Sequence, residues 1–198
     1  MADGQRVRFR IAVIPGDGIG TEVVPEGLRV LDALAAQSGG RLAFEYETFP
    51  WGCQHFLHTG RMMDPDGLEQ LAAFDAIYFG AVGWPGVPDH VSLWGLRLAI
   101  CQGFDQYACV RPVRLLPGVP SPLKAATAET VDWVVVRENS EGEYAGIGGR
   151  NLGGRGADRE VALQTALFTA QGCERIIRYA FTLARTRKRK KVTSVTKS

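Results

Sequence analysis

The stretch Val7–Gln37 reads VRFRIAVIPGDGIGTEVVPEGLRVLDALAAQ, and its three parts decide the fold class. Val7 to Ile14 alternates and then turns apolar, as the first strand of a buried sheet does. Pro15-Gly16-Asp17-Gly18-Ile19-Gly20 is a tight glycine turn. Thr21 to Gln37 then carries Val24, Leu28, Leu31, Leu34 and Ala35 on one helical face. Pro25 falls near the first turn, where proline is best tolerated. Strand, glycine turn and helix form the opening unit of an α/β protein.

The pattern continues downstream. Leu42 to Phe49 alternates as a second strand, and Ala76 to Phe79 reads as a third, ended by Gly80-Ala81-Val82-Gly83. Short helices are expected over Trp51–Leu57 and Pro65–Phe74, and another over Ser92–Gly103. Strands alternating with helical connections predict a mainly parallel sheet. Beyond Asp105 the pattern changes. Tyr107–Leu116 and Val131–Val136 read as strands, with Pro112 marking an edge or a break. Glu143–Arg155 is glycine-rich and reads as a loop or projecting ribbon, and Glu160–Phe168 as a further strand. Thr169 suits the N-cap of a helix running to about Arg185, and Val192–Val195 begins another strand. Two domains are expected, 1–105 and 106–198.

The 198 residues are 45% hydrophobic and 22% charged, enough for one large or two small globular domains. The polar N-terminus has no signal-peptide pattern and no apolar run has transmembrane length, so a cytoplasmic protein without a membrane partner is expected. Cys53, Cys101, Cys109 and Cys173 form no CxxC pair, which argues against structural zinc and for reduced thiols. Arg185, Arg187, Lys188, Arg189, Lys190 and Lys191 crowd one short stretch of a chain whose net charge is only +2. They follow an amphipathic helix, so they read as its solvated end, where cations suit the helix dipole, and no nucleic-acid partner is expected. His55, His58 and His90 join no cysteine or carboxylate cluster and are read as structural; there is no H-E-x-x-H motif, no Walker loop and no Ser-His-Asp arrangement.

Three features carry candidate chemistry. Gly16-Asp17-Gly18-Ile19-Gly20 has the spacing G-x-G-x-G with Thr21 next, so it is not the dinucleotide fingerprint. A cofactor or substrate could still approach the bare backbone of Gly16, Gly18 and Ile19 at a helix N-terminus, and a turn that needs positive φ explains the glycines equally well. Arg137 follows the valine run Val134–Val136, and Arg111 lies in or after another apolar run. Two converging guanidiniums select a dicarboxylate, while ordinary surface ion pairs are the competing reading. Tyr144 and Lys197 are acid–base candidates that would need burial, a cation or a metal to become useful near neutral pH.

Taken in order, these pieces resemble the β-decarboxylating dehydrogenases, the family of isocitrate, isopropylmalate, tartrate and D-malate dehydrogenases. The resemblance rests on IAVIPGDGIGTEVVPEGLRVLD (Ile11–Asp32), DAIYFGAVG (Asp75–Gly83), FDQYACVRPVRLLPG (Phe104–Gly118), VVVRENSEGEY (Val134–Tyr144) and VTSVTKS (Val192–Ser198). PDHVSLWG (Pro88–Gly95) is similar to the tartrate and D-malate branch. The resemblance implies an isopropylmalate dehydrogenase-like two-domain α/β fold. It also implies NAD-dependent oxidation, with decarboxylation, of a 2-hydroxy dicarboxylic acid such as tartrate or D-malate, assisted by Mg or Mn. Arg111 and Arg137 match the family's substrate-carboxylate arginines, Tyr144 the tyrosine that protonates the enol carbon, and Lys197 the lysine that helps remove the hydroxyl proton. The resemblance further implies a homodimer in which Lys197 serves the neighbouring subunit's site.

Two departures from the family pattern stand out. Cys101 occupies the place of a further substrate arginine, a loss of about 2–5 kcal/mol of binding unless Arg97, one helical turn earlier, reaches in instead. Cys109 occupies a place where asparagine is common. The sequence also stops one residue after Lys197, whereas the family continues with more sheet, the metal-binding aspartates and the segment that holds adenosine. Metal ligands are therefore expected beyond Ser198, and the first-domain sheet is expected to be incomplete, with an open apolar edge. A truncated, non-catalytic fragment that keeps a dimerisation or dicarboxylate-binding surface is the alternative to an active dehydrogenase.

Overall fold

In the computed structural model, which describes residues 6–151 and 160–196, β1 (Val7–Gly16) is the middle strand of a parallel sheet. Its neighbours are β2 (Leu42–Thr48) and β3 (Ala76–Ala81), in the order β2-β1-β3. Ile11 lies opposite Tyr46 on one side and Ala76 on the other. The chain divides into two compact units, Met1–Gly103 and Phe104–Ser198.

Strand alternation sorts the first unit's core into two layers. Ile11 and Val13 face α1 (Gly20–Gln37), where Val24 is buried and Leu28 and Leu31 pack beside it. Ala12 and Ile14 face the other way, onto Phe49, Trp51, Cys53, Met62, Leu71, Leu96 and Ile100. That second layer comes from α2 (Cys53–Thr59), α3 (Gly67–Leu71), a helical stretch over residues 89–103, and the connections that carry Phe49, Trp51 and Met62. Each fully buried Ile or Val contributes about 1.5–3 kcal/mol. Both faces of β1 are covered, and this is why its second half is uniformly apolar rather than alternating.

The helical stretch starts at α4 (Asp89–Ser92), earlier than the expected Ser92. It passes through a π-helical turn (Leu93–Arg97) and ends in α5 (Leu98–Gly103). Gly95 lets that turn settle on Met62, for an added Cβ would stand 2.7 Å from the Met62 Cγ. Leu96 and Ile100, one helical turn apart, point into the core.

In the second unit β4 (Ala108–Arg114) pairs antiparallel with β5 (Asp132–Glu138). The expected loop or ribbon after Glu143 is a ribbon: β6 (Gly142–Asn151) pairs antiparallel with β7 (Val161–Leu167). Thr169 caps α6 (Ala170–Thr186), its hydroxyl accepting from the Gly172 N–H at 2.9 Å. The C-terminal end of α6 is tied to the start of β5, where Arg187 Nη2 donates to Asp132 Oδ1 at 2.8 Å and to the Asp132 carbonyl at 3.0 Å.

Two expectations need correction. β5 runs on through Arg137 to Glu138 instead of ending at Val136, because its ladder with β4 continues to Ala108–Glu138. Val192–Val195 forms no strand; an isolated extended segment needs a ladder partner, and none pairs with it among the described residues. The second unit also buries little apolar surface, with Ala184 the one apolar side chain buried among its described residues. Val161, Leu163, Phe168, Ile177 and Phe181 stand 55–71% exposed.

Candidate active site

Register places the second unit's candidate residues. Cys109 lies opposite Arg137, and Arg111 lies opposite Val135. Residues i and i+2 share a face, so Cys109, Arg111 and Arg137 project from the same side of the β4–β5 pair. The two arginines are diagonal neighbours on that face. Arg111 Nε donates to Cys109 Sγ at 3.3 Å. The Cys109 thiol, and to a lesser degree Tyr144, push the Arg111 guanidinium above its ordinary pKa.

Tyr144 arrives from β6. The Arg137 guanidinium sits over its ring, with the guanidinium carbon 5.3 Å from the ring centroid. Arg137 Nη2 donates to Asn139 Oδ1 at 3.2 Å, and its Nε–H is buried without an acceptor. Among the described residues no carboxylate pairs with Arg111 or Arg137, whereas Arg114, Arg175, Arg178 and Arg187 each have one. An arginine pair without protein carboxylates departs from the surface ion-pair reading and suits an external dicarboxylate.

The loop between Arg137 and Tyr144 is built on carboxylates that sequence reading left unassigned. Glu138 accepts from the Ser140 N–H and hydroxyl and from the Glu141 N–H, the last at 2.7 Å. Glu141 in turn accepts from the Thr169 N–H at 2.9 Å and from the Thr169 hydroxyl. These bonds, Thr169 foremost, hold the Glu141 carboxyl below the usual carboxylate range. Asn139 is buried, with its N–H on the Tyr107 carbonyl and its amide on the Gln106 carbonyl. The signal was present as the polar run Asn139-Ser140-Glu141-Gly142, but partners that lie far along the chain could not be read from it.

In the first unit the glycine turn splits by role. Gly16 has φ +72°, and an added Cβ would stand 2.0 Å from the Ala81 carbonyl oxygen, so this glycine serves the contact between β1 and β3. Gly18 has φ +49° and open space beside it, and Ile19 is 59% exposed. Of the three positions first singled out, these two face outward at the N-terminus of α1. Between them lies Asp17, which is 3% exposed. Its carboxylate accepts from the N–H groups of Cys53, Gln54 and Gly83 and so ties the turn to the α2 N-terminus and the end of β3. Burial first, then the hydrogen bond and charge of Asp17, push the Cys53 thiol up to about 11.

Arg97 ends the π-helical turn of the first unit, and Cys101 follows in α5. Lys197 lies outside the described residues. Among the described residues no three His, Cys, Asp or Glu side chains are grouped so as to hold a metal ion, and no helix is long and apolar enough to cross a membrane.

Comparison with known proteins gives one consistent result. The family model for isocitrate/isopropylmalate dehydrogenase matches residues 10–198. A probable tartrate dehydrogenase/decarboxylase of Agrobacterium vitis is 57% identical over 190 residues, covering 96% of this chain and 52% of the relative. The decarboxylating D-malate dehydrogenase of Escherichia coli strain K12 is 56% identical over 192 residues, with the same coverage of each. An isocitrate dehydrogenase structure from Methylococcus capsulatus aligns with a TM-score of 0.68 at 30% identity, over 89% of this chain and 48% of that one. The chain spans about half the length of the curated relatives it matches.

Proposed function

Because the chain belongs to the isocitrate/isopropylmalate dehydrogenase family, we propose that it takes part in the NAD-dependent oxidation and decarboxylation of a 2-hydroxy dicarboxylic acid such as tartrate or D-malate. The observation that carries this reading is the pair Arg111 and Arg137, on one sheet face and without a carboxylate partner among the described residues, with Tyr144 stacked under Arg137. Two guanidiniums bind and orient the substrate carboxylates by charge-assisted hydrogen bonds. Oxidation removes the C2 hydride and the hydroxyl proton; the lysine position, Lys197, receives that proton. The bond to the β-carboxylate then breaks, CO2 leaves, and its electron pair remains as an enolate beside the two cations. Tyr144 donates its phenolic proton to the enolate carbon. NAD accepts the hydride when bound, and Gly18 and Ile19 offer it an open backbone at the N-terminus of α1. A divalent Mg or Mn is the Lewis acid of the reading, and no residue of this chain is assigned as its ligand. Arg97 remains the candidate for the charge missing at Cys101.

The exposed apolar faces of β7 and α6 favour a second reading. A strand and a helix that leave Val161, Leu163, Ile177 and Phe181 uncovered, with exposed Phe168 between them, are suited to meeting another polypeptide surface, and a second copy of the chain is the proposed partner. In that reading the 198-residue chain keeps a dimerisation and dicarboxylate-binding surface without turnover.

NADH formation from D-malate and from tartrate, with Mn present, tests both readings. It is measured on the purified 198-residue chain and on the product of the reading frame continued past Ser198 wherever that frame stays open. Turnover that falls at least about 100-fold in Arg137→Met supports the dehydrogenase, since such a loss is what removing a charged substrate contact costs. Turnover confined to the longer product assigns the second reading to the 198-residue chain. Failure of both folded products to oxidise any 2-hydroxy dicarboxylate would refute the proposal.

A further inference from the structure

We propose that Arg175 is a positioning residue for the candidate site: it clamps the loop Asn139–Glu141 and, through Asn139, sets the Arg137 guanidinium against Tyr144. This inference rests on the functional reading above for its catalytic consequence, though not for its geometry. Arg175 stands on α6, well away in sequence from every residue singled out for chemistry.

One guanidinium serves three surfaces. Nη1 donates to both Asp105 oxygens, at 2.9 and 3.0 Å. Nη2 donates to the Ser140 hydroxyl at 2.7 Å and lies 3.9 Å from Glu138 Oε1. The plane covers the Tyr107 ring at 4.6 Å. Nε–H is buried with no acceptor, so the head is placed by its fork and its stacking face at the expense of one donor. Asp105 has φ 47°, a left-handed conformation that a non-glycine residue holds only when its surroundings fix it, and the bidentate pair supplies that fixing.

The anchored groups lead directly to the site. Tyr107 presents its carbonyl to the Asn139 N–H at 2.8 Å, and Gln106 presents its own to the Asn139 side-chain amide at 3.1 Å. Asn139 Oδ1 is thereby oriented to accept from Arg137. On the other side Ser140 shares the Glu138 carboxylate that also holds the Glu141 N–H, directly before β6 carries in Tyr144. Arg175 thus fixes both ends of the loop whose length sets the distance from Arg137 to Tyr144.

A fork and a point charge differ in this setting, and that difference makes the test. A lysine at 175 keeps the charge next to Asp105 but cannot also reach Ser140 and stack on Tyr107. Arg175→Lys, Arg175→Met and the milder Ser140→Ala are compared with wild type. The first readout is the NMR ring-current shift of the Arg137 side chain, caused by the Tyr144 ring beneath it. It is expected to shrink by at least half in both Arg175 variants and partly in Ser140→Ala, with the circular dichroism of α6 retained. The second readout, on whichever chain length turns over dicarboxylate, is a rise in KM of about tenfold that Lys does not rescue.

An unchanged Arg137 shift in all three folded variants overturns the proposal, as does full rescue of both readouts by Lys, which would leave only a structural ion pair. If Arg175→Met fails to fold, Ser140→Ala decides: an unchanged Arg137 shift there overturns the inference. A lost ring-current shift in a protein that oxidises no dicarboxylate upholds the positioning while refuting the functional reading.

Discussion

Replacing Asp17 by alanine removes the carboxylate that ties the first unit's glycine turn to two other elements. Its oxygens accept from the Cys53 N–H at 2.8 and 3.1 Å, from the Gly83 N–H at 3.0 Å, and from the Gln54 N–H at a weaker 3.4 Å. The side chain is almost wholly buried, so water cannot replace it without rearrangement. Two well-made bonds are lost, and each stranded buried donor costs about 1–3 kcal/mol, which places Asp17→Ala at roughly 3–5 kcal/mol. An exposed N-cap alone would cost about 1 kcal/mol. Asparagine keeps one acceptor oxygen and is expected to cost about half as much as alanine. Urea unfolding followed by tryptophan fluorescence measures this, because Trp51 is 1% exposed and packs on Phe49 at 4.5 Å in the same core. Alkylation of Cys53 gives a second measure. Its thiol is buried and raised to about 11, so it reacts only when the unit opens, and a 3 kcal/mol loss should speed labelling by about a hundredfold. A ΔΔG below about 1 kcal/mol, with unchanged labelling, would refute the reasoning.

Other outcomes follow from the same geometry. Gly16→Ala is expected to cost at least about 2 kcal/mol, since its methyl would overlap the Ala81 carbonyl, whereas Gly18→Ala, facing open space, should cost about 1; chemical denaturation of the two variants separates them. The Glu141 carboxyl, held low by Thr169, stabilises the α6 N-terminus above the ordinary carboxylate pKa of about 4.3 and loses that contribution as pH falls through its lower folded value; Glu141→Gln should flatten this part of the acid transition in far-ultraviolet circular dichroism. Burial first, and the bond to Asp32 second, raise Tyr46 to about 12. The stabilisation tied to its protonated form is complete below about pH 10 and is lost as pH rises through 12. Asp32→Asn should lower the Tyr46 midpoint in a spectrophotometric titration.

Much of the first unit was legible because its signals are local. Val7–Ile14 and Ala76–Phe79 lie within strands of the parallel sheet, Leu42–Phe49 overruns β2 by one residue, and Thr21–Gln37 lies in α1. The helix after Pro88 was harder, because its π-helical turn packs on Met62 at Gly95, a contact that no local pattern encodes. Val192–Val195 has strand composition yet no ladder among the described residues, for composition cannot supply a neighbour. The candidate site divides in the same way. Arg111, Arg137 and Tyr144 could be picked out by residue type and surroundings, whereas Glu138, Asn139 and Arg175 are defined by partners up to seventy positions away.

By itself the sequence determined the α/β class, the glycine turn at the start of α1, the cap at Thr169 and the family resemblance. Each is written in short-range periodicity, turn chemistry or contiguous motif. Only the tertiary structure decided that Arg111 and Arg137 share one sheet face with no carboxylate partner among the described residues, and that Arg137 lies on the Tyr144 ring. It alone decided that Asp17 is a buried knot, with Gly18 and Ile19 left facing outward. Register and side-chain direction are set by pairing between distant segments, and a guanidinium acquires its role from the acceptors that reach it or fail to.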